Sequence, residues 1–180
     1  MKNGGRKMVV TSTGIENGVI KEEYGERGTQ FNENGMPTFS LPFRVEDAPE
    51  NTVSLALVLE DKDAYPVTFG FSWIHWLAAD ITRFELKENE SQTAKDFVQG
   101  ANSWMSIQGG EQSRKLSSYY GGMTPPDKEH LYELHVYALD VKLHLEQGFF
   151  LNELYRAMDG HVLEEYTLKG TYAPALDANA

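Results

Sequence analysis

Two stretches in the middle of the chain carry the residue types that could do chemistry. The first is Asp61-Lys62-Asp63-Ala64-Tyr65-Pro66, followed closely by Phe71-Ser72-Trp73-Ile74-His75-Trp76. The second is Tyr119-Tyr120-Gly121-Gly122-Met123-Thr124-Pro125-Pro126, followed by His130-Leu131-Tyr132. Each couples acidic or glycine-rich turn residues to a histidine in or near an apolar run. Carboxylates, imidazoles, glycine amides and prolines at strand ends can build a small rigid polar pocket for an anion, a metal or a reacting group.

Several strands must position such a pocket. Residues 53–59 form a continuous apolar run that suits a strand buried on both faces, and it ends just before Asp61. Residues 69–77 form a second, aromatic strand carrying His75, and residues 132–139 and 164–172 alternate with a period of two. Residues 9–13 read as a short strand and 37–44 as another, while 16–35 reads as strand fragments among loops. Residues 85–100 are polar, with loop or short helical character. Residues 102–120 form a long excursion, the kind of loop that often carries function. Apolar residues at helical spacing predict one helix over 145–158, its firmest part Leu151–Met158, with Gly160 just past its end. Phe149, Phe150 and Tyr155 are expected on its core face. Many short strands and one late helix predict an all-β-dominated fold, a large antiparallel β-sandwich with a peripheral C-terminal helix. One domain over 9–174 is expected, preceded by a loose extension at 1–8 and followed by a fraying tail at 175–180.

Composition narrows the function classes. The 180 residues suit one core, and 41 % hydrophobic with 24 % charged is ordinary for a globular chain. The 16 basic and 27 acidic residues give a net charge of −11, which disfavours nucleic acid as a partner. No cysteine is present, so thiolate catalysis, disulfides and cysteine-based zinc sites are excluded. No apolar h-region follows Lys2, Arg6 and Lys7, and no window of 18 apolar residues occurs, so neither a signal peptide nor a membrane span is expected. The expected location is cytoplasmic.

Taken in order, Asp61-x-Asp63-Ala64, Trp73-Ile74-His75-Trp76-Leu77, Tyr120-Gly121-Gly122-x-x-Pro125-Pro126, His130-x-Tyr132 and Val136-Tyr137-Ala138-Leu139-Asp140 resemble the phosphatidylethanolamine-binding protein family, in particular its bacterial Raf kinase inhibitor-like branch. The resemblance spans about residues 11–172. It implies the β-sandwich with a small anion pocket at one end. The implied ligand-binding residues are Asp61, Asp63, His75, Tyr120, Gly121, Gly122, Pro125, His130 and Tyr132. Imidazoles and backbone amides would donate to a phosphate, and Asp61 would fix a histidine tautomer or receive the ammonium of an ethanolamine head group.

The chain departs from the family pattern at the pocket rim. Asp-Pro-Asp-Ala-Pro becomes Asp61-Lys62-Asp63-Ala64-Tyr65-Pro66, Gly-Pro-x-Pro-Pro becomes Gly122-Met123-Thr124-Pro125-Pro126, and Thr38-Phe39-Ser40-Leu41-Pro42 replaces the usual Asn-x-Ser-Pro run. Without the resemblance, His75 would be a hydrogen-bonded core histidine and His130 a surface loop residue, the reading that stays with His135, His144 and His161. Asp61 and Asp63 would cap a turn, and Gly121-Gly122 would form one.

The function expected is therefore non-enzymatic binding of a small anion, phosphate or a phosphorylated head group, with regulation or inhibition of a protein partner as an extension. No catalytic residue, metal ligand or cofactor is assigned. A protein partner and a homodimer are left open. The alternative is a metal-assisted phosphoester hydrolase using Asp61, Asp63, His75 and His130. Neither an HExxH pair nor a Gly-x-Ser-x-Gly elbow accompanies it.

Overall fold

The computed structural model describes residues 6–175. The expected loose extension and fraying tail therefore fall largely on residues 1–5 and 176–180, outside the described residues. Met8 packs into the core, and its N–H donates to Glu164.

Among the described residues ten strands form two sheets. The smaller has the order β1 (Val9–Thr11), β4 (Phe43–Glu46) and β7 (Glu85–Leu86). The larger has seven strands: β2 (Ile15–Glu16), β3 (Val19–Ile20), β10 (Val162–Tyr172), β9 (His130–Leu139), β5 (Ser54–Asp61), β6 (Trp73–Ile81) and β8 (Val98–Gly100). Every pairing is antiparallel except β3 beside β10. This is the expected β-sandwich.

The central strands explain the unbroken apolar run. On one face Leu55, Leu57 and Leu59 of β5 meet Trp76 of β6, Leu134 and Val136 of β9, and Val10, Phe43 and Leu86 of the small sheet. On the other face Ala56 and Val58 meet Leu77, Tyr137 and Leu139 under α4 (Leu151–Met158). A strand covered on both faces needs apolar side chains at consecutive positions, so the period-two signal vanishes. From α4, Leu154 and Met158 complete the second layer, each burial contributing about 1.5–3 kcal/mol.

Several boundaries differ from expectation, for local reasons. The aromatic strand begins at Trp73 rather than Phe69. Pro66 starts a one-turn helix, α1 (Tyr65–Thr68), which ends at Phe69 with φ 63°, followed by Gly70 with φ 128°. The helix does not extend back to Leu145. Gly148, with φ 88°, breaks helical geometry, and 148–149 instead bonds to the β8 edge through Gly148 N–H to Gln99 O and Ala101 N–H to Phe149 O. At the start of α4 the Phe150 N–H donates to the Glu153 carboxylate at 2.7 Å. Phe149 is buried as expected, whereas Phe150 and Tyr155 are exposed, Phe150 lying under the Arg114 guanidinium at 4.6 Å. Within 37–44 only the last two residues are strand, because Pro37 and Pro42 offer no ladder N–H. The polar stretch 85–100 holds strands β7 and β8 around a short helix, α2 (Glu90–Thr93). The excursion 102–120 is built of 3-10 turns and one short helix, α3 (Arg114–Ser117).

Candidate functional site

Asp61 is the last residue of β5, and its side chain faces the inter-sheet core like Leu57 and Leu59. On neighbouring β6 the register slips. Leu59 pairs with Trp76 and Glu60 with Ile74, so His75 has no partner across the ladder. This bulge lets two consecutive residues, His75 and Trp76, point to the same side, whereas a regular strand would have sent His75 to the opposite face. Asp61 pairs with Trp73 of β6 and with Tyr132 of β9. Asp61, Trp73 and His75 thereby come to one spot at the end of the sandwich.

They line a cavity of about 380 Å³, closed by Trp104, Gln108 and Gln112 of the long excursion, by Thr68 of α1, and by Thr124 and Pro126. The His75 ring meets Trp104 and Tyr132 edge-on at 5.3 and 5.2 Å, and Trp104 stands perpendicular to Trp73 at 5.2 Å. The wall is thus two indoles, an imidazole and a carboxylate.

The two histidines have opposite electrostatics. His75 Nδ1 lies 2.7 Å from the Gly121 carbonyl. A carbonyl only accepts, so Nδ1 carries the proton, and Nε2 of the neutral ring holds a lone pair. Burial pushes the His75 pKa below its ordinary value, against the pull of Asp61. His130 is buried and bonded on both nitrogens, Nδ1 to Asp61 Oδ2 at 2.7 Å and Nε2 to Asp127 Oδ1 at 2.8 Å. Burial alone would lower its pKa, but the bonds and charges of Asp61 and then Asp127 outweigh it and hold it above its ordinary value. His130 is an imidazolium held between two carboxylates.

Of the nine residues implied by the resemblance, Asp61 and His75 line the cavity. The other seven stand around it. His130 sits behind Asp61. The Asp63 carboxylate accepts the Leu131 N–H at 2.9 Å, tying the loop to β9. Tyr132 lies under His75, its buried hydroxyl without a partner among the described residues. Tyr120 is a core residue whose hydroxyl donates to Tyr24 O at 2.6 Å. The glycine amides expected to cradle an anion are already committed: Gly121 N–H donates to His75 O at 2.8 Å and Gly122 N–H to Pro37 O at 2.9 Å. Pro125 is buried between the two rim residues, Thr124 and Pro126. The two glycines serve close packing. A Cβ on Gly121 would come within 2.4 Å of the Trp104 ring, and one on Gly122 within 2.5 Å of Tyr24 O.

Trp73, Trp104 and Gln108 are cavity residues that the sequence reading did not single out. The excursion carrying Trp104 and Gln108 has the length of a functional loop, but nothing in its spacing tells which side chain turns inward. Trp73 brings a buried indole Nε1–H with no partner among the described residues. No Lys or Arg is among the described lining residues. The cavity is therefore lined by a carboxylate, a neutral imidazole and two indoles, one of them with an unpartnered N–H among the described residues.

A two-sheet fold with a walled polar cavity at one end describes a ligand-binding β-sandwich. The family model for phosphatidylethanolamine-binding protein matches residues 11–173, and the chain belongs to that family of ligand-binding proteins. It is 42 % identical over 157 residues to YxkA of Bacillus subtilis, an uncharacterized protein, covering 85 % of this chain and 93 % of that one. A UPF0098 protein of Chlamydia pneumoniae is 35 % identical over 134 residues, covering 74 % and 81 %. Among solved structures, the putative phosphatidylethanolamine-binding protein homolog CT736 from Chlamydia trachomatis superposes with a TM-score of 0.74 at 31 % identity, covering 95 % of this chain and 99 % of that one. Escherichia coli YbcL shares the fold, with a TM-score of 0.71 at 20 % identity over 93 % of this chain and 98 % of that one. No helix among the described residues is long and apolar enough to cross a membrane.

Proposed function

We propose that the chain is a non-enzymatic binding protein for a small phosphorylated head group, and that the favoured ligand also carries an ammonium. The observation behind this reading is the pairing of Asp61 with His75 between Trp73 and Trp104 in a cavity without a lining Lys or Arg. A fully charged phosphate finds no cation there, and Asp61 repels it. An ammonium finds the Asp61 carboxylate beside the aromatic wall of Trp73 and Trp104. The phosphate end finds Trp73 Nε1–H, and its hydroxyl, when protonated, can donate to His75 Nε2.

On this reading residues 9–174 act as one cytoplasmic domain, and regulation of a protein partner would be an extension of ligand binding. The hydrolase alternative draws no support from the geometry. Asp63 holds a backbone amide, His130 has both nitrogens bonded to carboxylates, and no three of Asp61, Asp63, His75 and His130 form a metal-ligating group among the described residues. The test is calorimetric titration with phosphoethanolamine and with inorganic phosphate. Phosphoethanolamine is expected to bind more tightly. Inorganic phosphate should gain affinity only as pH falls well below the ordinary histidine value of about 6.5, through the lowered His75 pKa, where Nε2 turns from acceptor to donor. Equal, pH-independent binding of both would overturn the reading.

A further inference from the structure

Glu60 precedes Asp61 in β5, so its side chain emerges on the opposite face of the sheet. There it meets Glu133 directly across on β9, with His135 two residues further along the same face. One potential ligand atom from each of Glu60, Glu133 and His135 lies within 4.8 Å of the other two. His135 Nε2 is 3.1 Å from Glu60 Oε1 and 3.4 Å from Glu133 Oε2. Ligands about 2.0–2.1 Å from a tetrahedral zinc ion stand about 3.3–3.4 Å apart. Two edges of the triangle are therefore already near the size that such an ion requires.

Two further observations point to a cation. The first is that one is already seated there. Lys62 Nζ bridges the two carboxylates, 3.5 Å from Glu60 Oε1 and in closer contact with Glu133 Oε2. The ligating side chains are only 11–14 % exposed, whereas Lys62 is 54 % exposed on a flexible stem and can swing outward. The second is that each ligand is oriented from behind through the atom that faces away. His135 Nδ1 bonds Thr167 Oγ1 at 2.9 Å, Ser72 Oγ donates to Glu60 Oε2 at 2.7 Å, and Lys169 Nζ meets Glu133 Oε1 at 2.9 Å. Outer-shell bonds of this kind fix the ligands of metal centres.

We propose that Glu60, Glu133 and His135 form a binding site for a divalent first-row transition metal of the zinc class, with Lys62 as the built-in competitor that a metal must displace. Mixed nitrogen and oxygen ligation suits zinc, nickel or cobalt and leaves a coordination position open to water. The site faces away from the ligand cavity and does not depend on its assignment.

Zinc titration of the full chain, monitored by calorimetry and by the visible absorption of a cobalt-loaded sample, tests this. One ion per chain is expected. Lys62→Met should bind zinc at least tenfold more tightly, because the competing ammonium is gone. His135→Gln and, as a second variant should the first not fold, Glu60→Gln should each bind at least tenfold more weakly. His161→Ala, which alters the exposed His161–Asp140 pair, should bind as wild type does. The proposal fails if Lys62→Met takes up no stoichiometric zinc. It also fails if Glu60→Gln and any folded His135→Gln protein bind as wild type does, or if the loss follows His161→Ala; the triad is then a charge-balanced network only.

Discussion

Asp61 Oδ2 lies 2.7 Å from His130 Nδ1, and the imidazole behind it is fully buried. A histidine expected on the cavity wall thus acts through the carboxylate in front of it. It holds and aims the Asp61 carboxylate and is not among the cavity-lining residues. Breaking a buried pair leaves an uncompensated charge and costs about 3–5 kcal/mol. His130→Gln should lower stability by about that amount in urea unfolding.

The same bond sets a pH dependence. The His130 pKa is raised in the folded chain. Its stabilisation is complete below the unfolded value of about 6.5 and is lost as pH rises through the raised folded value. Wild-type unfolding free energy should fall across that alkaline-side window, and the slope should be missing in His130→Gln.

His75 has the opposite sign. Its lowered pKa means that the folded chain resists protonation, so this contribution is present above about 6.5 and is lost as pH falls toward the lowered value. Nitrogen-15 spectra of the imidazoles should show His75 as the neutral Nδ1–H tautomer at pH 6.5. A cationic His75 under those conditions would contradict burial as the effect that keeps the ring neutral.

Gly121→Ala should harm the cavity without touching a ligating group. Its Cβ would push into the Trp104 ring, and such overpacking costs about 1–3 kcal/mol. A shift in tryptophan fluorescence and weaker phosphoethanolamine binding are expected together.

Leu154→Ala tests the second core layer. Leu154 is fully buried on the inner face of α4, and its truncation should cost about 2–5 kcal/mol by urea unfolding.

The fold was legible in the sequence where the pattern was long. The helix Leu151–Met158 appears as read, and the run 53–59 and the alternation in 132–139 and 164–172 appear as strands whose ends lie within two residues of the reading. Boundaries failed where one residue overrode the pattern, as Gly148 does before α4 and Pro66 does before β6. At the site, Asp61 and His75 were legible as residue types, but the bulge that turns His75 inward was not, because it arises from pairing register between strands. His135 read as a surface histidine because its carboxylate partners come from strand pairing and chain neighbours whose convergence no linear spacing displays. The glycine amides read as free donors because their partners, His75 O and Pro37 O, lie far off in sequence.

The central claim is that Asp61 receives the ammonium of a phosphorylated head group. The most direct measurement is calorimetric titration of wild type and Asp61→Asn with phosphoethanolamine and with inorganic phosphate at one pH. A charge-assisted bond is worth about 1.5–3 kcal/mol, so Asp61→Asn should weaken phosphoethanolamine by about tenfold or more and leave inorganic phosphate unchanged or slightly tighter. Equal weakening of both ligands, or no effect on either with the fold intact, would contradict it.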